Sequence, residues 1–416
     1  MKKILITSLM TLGISISTAM ANINSDNLKT NIQQSLNNYI KENQDDEHIS
    51  ALVVTISPSL GNIERFYAGT SEYPNKGTPV DTNNLFQIGS VTKSFTAVIL
   101  LKLQEEGKLN LNDKIGKYLP QYSKWGNATI RSLLNMTSGI PSYSSSDEFT
   151  KVLGENIQES FSYKELANFA YQLKPVTGFS YSNTGYILAA MIAEKVTNKP
   201  FTELMDNLIK EVGLKNTYYV EAVYPDSIIT RLVSGYYYNL VVPNLNRYVL
   251  SSSDPMCHQG DKSTDMKCSN MSWAGPAGGI VSNNADVTTW VRNLFTYRHK
   301  DENGKEIGIL SKKSVDELTA LMAVPSGKPL TQTDKLHPAG FGLGVGQNYS
   351  SQYGRYWHYQ GTTLGYRMFY AYFPEKVGSH NAKGLIITIA LNSQPVSCLN
   401  HINELLNEIY NGVNLK

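Results

Sequence analysis

The sequence predicts an α+β fold, and three observations carry that prediction. Strand-like segments gather at both ends of the chain, helical periodicity fills the middle, and no repeated strand–helix–strand series runs through it. One sheet built from both termini, with a helical region inserted between its parts, accounts for that order.

Taken in order, residues 26–43 set Leu28, Ile32, Leu36 and Ile40 at helical spacing, which predicts an amphipathic helix. Strands follow over 51–57 and 63–68, joined by a turn containing Pro58 and Gly61. A helix is predicted over 92–106, stopping at Gly107. The stretch to about 270 reads as helical pieces at 130–134, 163–172, 185–196 and 202–211 between long loops. A helix over 285–296 comes after Gly278-Gly279, then strands over 341–345, 356–360, 366–373 and 384–392, and a final helix over 399–410. The expected division is therefore a sheet domain from 22–107 and 272–416, with a mainly helical insert over 108–271.

At 416 residues, with 41% hydrophobic and 17% charged, the chain has the composition of a protein that buries a core. A net charge of +2 gives no electrostatic reason to expect a nucleic acid or an acidic membrane surface as partner. The 26 tyrosines fit half-buried strand and surface positions, or the lining of a cleft. Residues 1–21 have the form of a cleavable signal peptide: Lys2 and Lys3, a mostly apolar run over 4–16, then Ala19-Met20-Ala21. That apolar run is short for a bilayer span, so a periplasmic or secreted protein without a stable membrane anchor is expected from Asn22 onward. Cys257 and Cys268 lie in one polar loop and fit a disulfide in an oxidising compartment, worth roughly 2–3 kcal/mol for so short a loop. A metal site on Cys257, His258 and Cys268 lacks a fourth ligand at zinc spacing. Cys398 remains as an expected buried free thiol.

The commoner catalytic signatures are missing. There is no G-x-S-x-G elbow, no H-E-x-x-H and no C-x-x-C, and none of the seven histidines is paired at metal-ligand spacing. No cofactor or metal is expected. The glycines of 342–346 sit in a strand-like segment with no helix behind them, so they read as sheet packing instead of a phosphate loop.

Ser90-Val91-Thr92-Lys93 is the stronger candidate. A hydroxyl at a helix start and an amine three residues on share one face, and the helix N-terminus favours negative charge developing there. Serine needs a base to become a nucleophile, and Lys93 qualifies once burial lowers its pKa. The apolar run Phe95, Ala97 to Leu100 behind it predicts such burial. The plainer alternative makes Ser90 an N-cap and Lys93 a solvated helix residue. Tyr181-Ser182-Asn183 precedes another helix. Its phenol can shuttle a proton, and its amide can orient Lys93 or a substrate carbonyl; the alternative is a turn and cap. A third segment, 357–366, has Gly361 and Gly365 bracketing a strand end, where the N–H of Thr362 joins that of Ser90 as a candidate oxyanion hole.

In this order the three elements resemble the serine penicillin-recognising superfamily, in the branch of class C β-lactamases, D-alanyl-D-alanine carboxypeptidases and esterase relatives. Its motifs S-x-x-K, Y-x-N and K-T-G or H-x-G match as Ser90 to Lys93, Tyr181 to Asn183, and Tyr359-Gln360-Gly361. Flanking matches run through Glu105-Glu106-Gly107, Thr137-Ser138-Gly139 and Ala277-Gly278-Gly279, over about 30–410. The resemblance implies an antiparallel five-stranded sheet flanked by helices, and acyl-enzyme chemistry on Ser90 with Lys93 and Tyr181. It also implies that Asn183, Tyr359, Gly361 and Thr362 contact substrate. Peptide or ester small molecules are the implied substrates, cell-wall peptides among them: a D-alanyl-D-alanine carboxypeptidase-type peptidase is expected first, an esterase or a class C-like β-lactamase next, and a non-catalytic binding protein last. The departure is Tyr359, where the family carries Lys or His to hold a substrate carboxylate. Strand alternation turns the adjacent His358 to the other face, and Arg367 or another cation is the candidate replacement.

Overall fold

The computed structural model describes residues 26–59, 62–238, 258–259, 263–300, 304, 306–374, 384–395 and 402–414. The expected leader, Cys257 and Cys398 lie outside the described residues.

Helix α1 (Asp26–Glu47) leads into a sheet whose strands are β1 (Ala51–Ser59), β2 (Asn62–Glu72), β3 (Lys76–Pro79), β4 (Leu321–Ala323), β5 (Pro329–Leu330), β6 (Ala339–Phe341), β7 (Gly346–Ser350), β8 (Gly354–Thr362), β9 (Arg367–Phe373) and β10 (Leu385–Leu391). Their order is β5-β4-β6-β7-β8-β9-β10-β1-β2-β3, antiparallel throughout. Ten strands replace the five expected. The five long ones, β8-β9-β10-β1-β2, are adjacent, and both edges are extended by strands of two to five residues. Such short strands carry too few positions to show a period of two in the sequence. The strand expected over 341–345 is a further difference. The chain turns there, with Gly342 N–H bonded to the Val345 carbonyl at 2.8 Å and Gly344 at φ +72°. A Cβ on Gly344 would stand 2.8 Å from the Lys93 carbonyl oxygen, so this turn lies on the backbone of the nucleophile's helix.

Alternation along the central strands feeds two apolar layers. Leu52, Val54, Ile56, Phe369, Ala371, Ile387 and Ile389 face α1 and the C-terminal helix Ile402–Asn414. Val53, Met368, Tyr370, Ile386 and Ala390 face α2 (Thr92–Glu105) and the helices beyond it. Each fully buried Leu, Ile or Phe in such a layer contributes about 1.5–3 kcal/mol. Eleven of the fourteen residues of α2 are buried, because the helix has sheet on one side and the helical region on the other. Its first turn is fixed by Trp290, whose ring stacks on Phe95 at 3.6 Å between centroids and whose indole N–H donates to Ser94 Oγ at 2.8 Å.

The loop expected to hold Cys268 ends in a short 3₁₀ turn, Met266–Cys268, where Cys268 is buried and disulfide-bonded. No group of His, Cys, Asp or Glu among the described residues could hold a metal ion, and no described helix is long and apolar enough to cross a membrane.

Candidate active site

Ser90 stands at the junction of a strand and a helix. The strand Phe86–Gln87 pairs with Ile280–Ser282, Ile88 N–H bonds the Ile280 carbonyl, and a 3₁₀ turn, Gly89–Val91, then enters α2. Gly89 adopts φ +49°, and a Cβ there would lie 2.5 Å from the Thr362 nitrogen. From the other side, a Cβ on Gly361 would lie 1.8 Å from the Ile88 oxygen and 2.9 Å from the Ser90 nitrogen. Two glycines therefore let the end of β8 meet the nucleophile turn backbone to backbone. This brings the 89–90 and 361–362 segments, which carry the two expected oxyanion donors, into contact.

Three side chains converge on the Ser90 hydroxyl. Lys93 Nζ is 2.9 Å from Ser90 Oγ, and the Tyr181 hydroxyl donates to the same oxygen at 2.5 Å. Lys93 Nζ also donates to Asn183 Oδ1 and to the Ala277 carbonyl, each at 2.7 Å, and lies 4.8 Å from the centroid of the Tyr181 ring. The Lys93 side chain is fully buried, and burial lowers its pKa below the ordinary lysine value, partly offset by Tyr181. Neither capping alternative holds. No side chain caps α2, and Ser182 at the start of the helix Asn183–Thr197 makes no cap bond, its hydroxyl turning to the Pro141 carbonyl.

Tyr181 is 42% exposed, so apolar burial does not fix it. Its loop is held by backbone bonds on several sides: Val176 N–H to Gly139 O, Phe179 N–H to Pro325 O, and Ser180 N–H to Met136 O. Tyr359 sits beside it, donating its hydroxyl hydrogen to the Tyr181 oxygen at 3.3 Å. Burial holds the Tyr359 pKa well above the usual phenol value, with repulsion from Tyr181 adding to it. The Phe341 ring packs on Tyr359 and on Phe179, at 5.6 and 5.5 Å between centroids.

Every residue singled out from the sequence for Ser, Lys, Tyr and Asn chemistry is thus brought together. Arg367 is not. Its guanidinium is buried on the far face of the sheet, bonded to the Glu47 carboxylate and to the Ser393 carbonyl, because residue 367 alternates toward α1. His358 also faces that side, against Tyr356 and Phe369, and burial lowers its pKa to about 4. Sequence reasoning missed the Ala277 carbonyl, the Ser144 hydroxyl that accepts from Asn183 Nδ2 at 3.2 Å, and the Ser142 hydroxyl that accepts from Asn183 N–H at 3.1 Å. Ala277 was visible as a matching flank without a role, whereas a lone serine in a Ser-rich loop carries no signal of its own.

This arrangement can deprotonate a serine, the chemistry of a serine hydrolase, and the fold that carries it is the β-lactamase/transpeptidase-like one. The family model described as Beta-lactamase matches residues 36–408, and the chain belongs to that family. Penicillin-binding protein 4* of Bacillus subtilis (strain 168) is 31% identical over 168 residues, 39% of this chain and 36% of that protein, so the match spans about a third of that relative's length. Among solved structures, the D-amino acid amidase from Ochrobactrum anthropi SV3 complexed with D-phenylalanine superposes at a TM-score of 0.72 with 22% identity, covering 93% of this chain and 99% of its own. The β-lactamase/D-alanine carboxypeptidase from Pseudomonas syringae gives 0.63 with 19% identity, covering 92% and 98%. At such identities these two likenesses speak for the fold alone.

Proposed function

We propose that the chain is an exported serine acyl hydrolase working through an acyl-enzyme on Ser90, of the D-alanyl-D-alanine carboxypeptidase type that the sequence suggests. The observation that carries the reading is the Ser90 hydroxyl bonded at once by Lys93 Nζ and by the Tyr181 phenol. Ser90 attacks the acyl carbon while its proton passes to the Lys93 and Tyr181 pair, and Tyr181 returns a proton to the departing nitrogen or oxygen. The N–H groups of Ser90 and Thr362 receive the oxyanion. Water, activated by Tyr181, then cleaves the ester and restores Ser90. Asn183 orients Lys93 and, with Tyr359 and Gly361, borders the substrate. This reading assigns amide bonds of D-amino-acid derivatives, cell-wall peptides among them, as substrates, the class that the motif resemblance implies.

A second reading, hydrolysis of uncharged amides or esters, is favoured by Tyr359 standing where a cation would hold a carboxylate. The test common to both readings is covalent labelling by a fluorescent penicillin or a fluorophosphonate. Label is expected on the wild type and none on Ser90→Ala; equal labelling of both proteins would remove Ser90 from the mechanism.

A further inference from the structure

The third motif carries its ionisable groups in an arrangement that a carboxylate cannot use. Tyr359 points into the site and reaches Tyr181, while the basic side chains near it on β8 and β9 point away. Arg367, paired across the sheet with Thr362, is bonded to Glu47 and Ser393 behind the sheet. His358 faces the same rear layer. Arg355, at the other end of β8, donates to Gln332. Lys93, the amine at the nucleophile, has its three contacts filled by Ser90, Asn183 and Ala277.

Tyr359 has its own bond to make. It donates to the Tyr181 oxygen, which in turn donates to Ser90, so the three hydroxyls form one chain. When Tyr181 gives up its proton to the departing group, the phenolate oxygen keeps a donor in Tyr359, a neutral one. A substrate carboxylate at that end meets no cation free to hold it, since the Lys93 nitrogen is already engaged by Ser90, Asn183 and Ala277. An amide or ester end needs no such cation, and finds an aromatic wall in Tyr359, Phe341 and Phe179.

We propose that Tyr359 is a positioning residue for Tyr181 whose neutral phenol–phenol bond directs the site to amides and esters with an uncharged departing end. The inference rests on the acyl-hydrolase reading and favours its second substrate class, uncharged amides and esters, over the carboxypeptidase type. The bond from the acyl carbon to the departing nitrogen or oxygen breaks as the bond to Ser90 Oγ forms. The Ser90 proton leaves with the departing group as neutral amine, ammonia or alcohol. Water then supplies the hydroxyl of the released acid and the proton that restores Ser90.

The test uses a matched pair of peptides ending in D-alanyl-D-alanine, one with a free carboxylate and one with a carboxamide, assayed on the wild type, Tyr359→Lys and Tyr359→Phe. For the wild type, kcat/KM is expected to be at least tenfold higher for the carboxamide, mainly through KM. Tyr359→Lys is expected to raise kcat/KM for the carboxylate at least tenfold and so reverse the order. Tyr359→Phe, which keeps the ring and loses the bond to Tyr181, is expected to lower kcat about tenfold on both peptides with KM little changed. A wild type that prefers the carboxylate, or a preference unmoved in Tyr359→Lys, overturns the inference. So does a carboxylate preference that vanishes in Lys328→Ala, since exposed Lys328 follows the 325–327 turn that touches Gly178 and Phe179. Fluorophosphonate labelling separates the two failures: labelled Ser90 with the wrong preference sinks this inference alone, and unlabelled Ser90 sinks the acyl-hydrolase reading with it.

Discussion

Lys93 directs all its hydrogen bonds inside the protein, and two of its three partners are oxygens that only accept, Asn183 Oδ1 and the Ala277 carbonyl. A neutral amine has two N–H groups and one lone pair. With both N–H groups engaged by those acceptors, the lone pair faces Ser90 Oγ at 2.9 Å, so Lys93 changes from donor to base without reorienting. Burial favours that neutral form. Activity should therefore rise with pH along a limb whose midpoint lies below the ordinary lysine value of 10.5. Lys93→Arg keeps a cation that does not deprotonate in this range. Its kcat/KM should fall about 10²- to 10⁴-fold, the usual worth of a general base, and the limb should disappear. A variant that kept a tenth of the wild-type rate and the same limb would assign the proton transfer elsewhere. The pair was legible in the sequence because a helix start fixes the geometry of positions i and i+3. Ala277 was not, since any residue offers a carbonyl and only the fold says which one arrives.

Elements meet at the site through backbone, and side-chain reasoning sees this least. The end of β8 lies so close to the 3₁₀ turn before α2 that residue 361 has no room for a methyl group. Gly361→Ala must separate the two segments or distort them, a change that costs about 1–3 kcal/mol in tightly filled structure. The groups in the way are the Ile88 carbonyl and the Ser90 nitrogen, and Thr362 follows residue 361 directly. Turnover is expected to drop by about a hundredfold or more, the usual effect of losing an oxyanion donor, with far-UV circular dichroism little changed. Normal turnover would show that 361–362 takes no part in the oxyanion site. At the rear of the sheet, Glu47 closes α1 onto β9 through the buried pair with Arg367. Breaking such a pair on one side costs about 3–5 kcal/mol, which suits a structural role for Arg367. The longer helices, such as Asn183–Thr197 and Phe201–Val212, were readable to within a few residues because their apolar spacing is sustained, whereas the short Asp147–Glu155 and Lys312–Leu318 were not read. The 341–345 segment was misread because Phe341, Leu343 and Val345 alternate like a strand while their glycines permit a turn. The edge strands escaped for lack of length: Pro329–Leu330 has two residues, and Lys76–Pro79 is wholly exposed.

In the molecule as a whole, α2 ties the sheet to the helical region. A single apolar cluster runs from Val53, Met368 and Ile386 on the sheet through Phe95, Val98 and Leu101 of α2 to Leu133, Leu134, Ile187 and Leu188 of the 108–271 stretch. Neither side can open without exposing α2, and opening α2 releases Lys93 from burial and from Ala277. Sheet, helical region and catalytic competence should therefore be lost together on heating or in denaturant. Tryptophans report from each part: Trp290 stacks on α2, Trp357 lies on β8, and Trp125 packs with Tyr122 and Tyr171 in the helical region. Unfolding followed by tryptophan fluorescence, by far-UV circular dichroism and by the residual rate of Ser90 labelling should give one coincident transition, the signature of a cooperative unit. Two separated transitions, with labelling surviving the first, would mean that the helical region can melt away from an intact nucleophile and that α2 draws its order from the sheet alone.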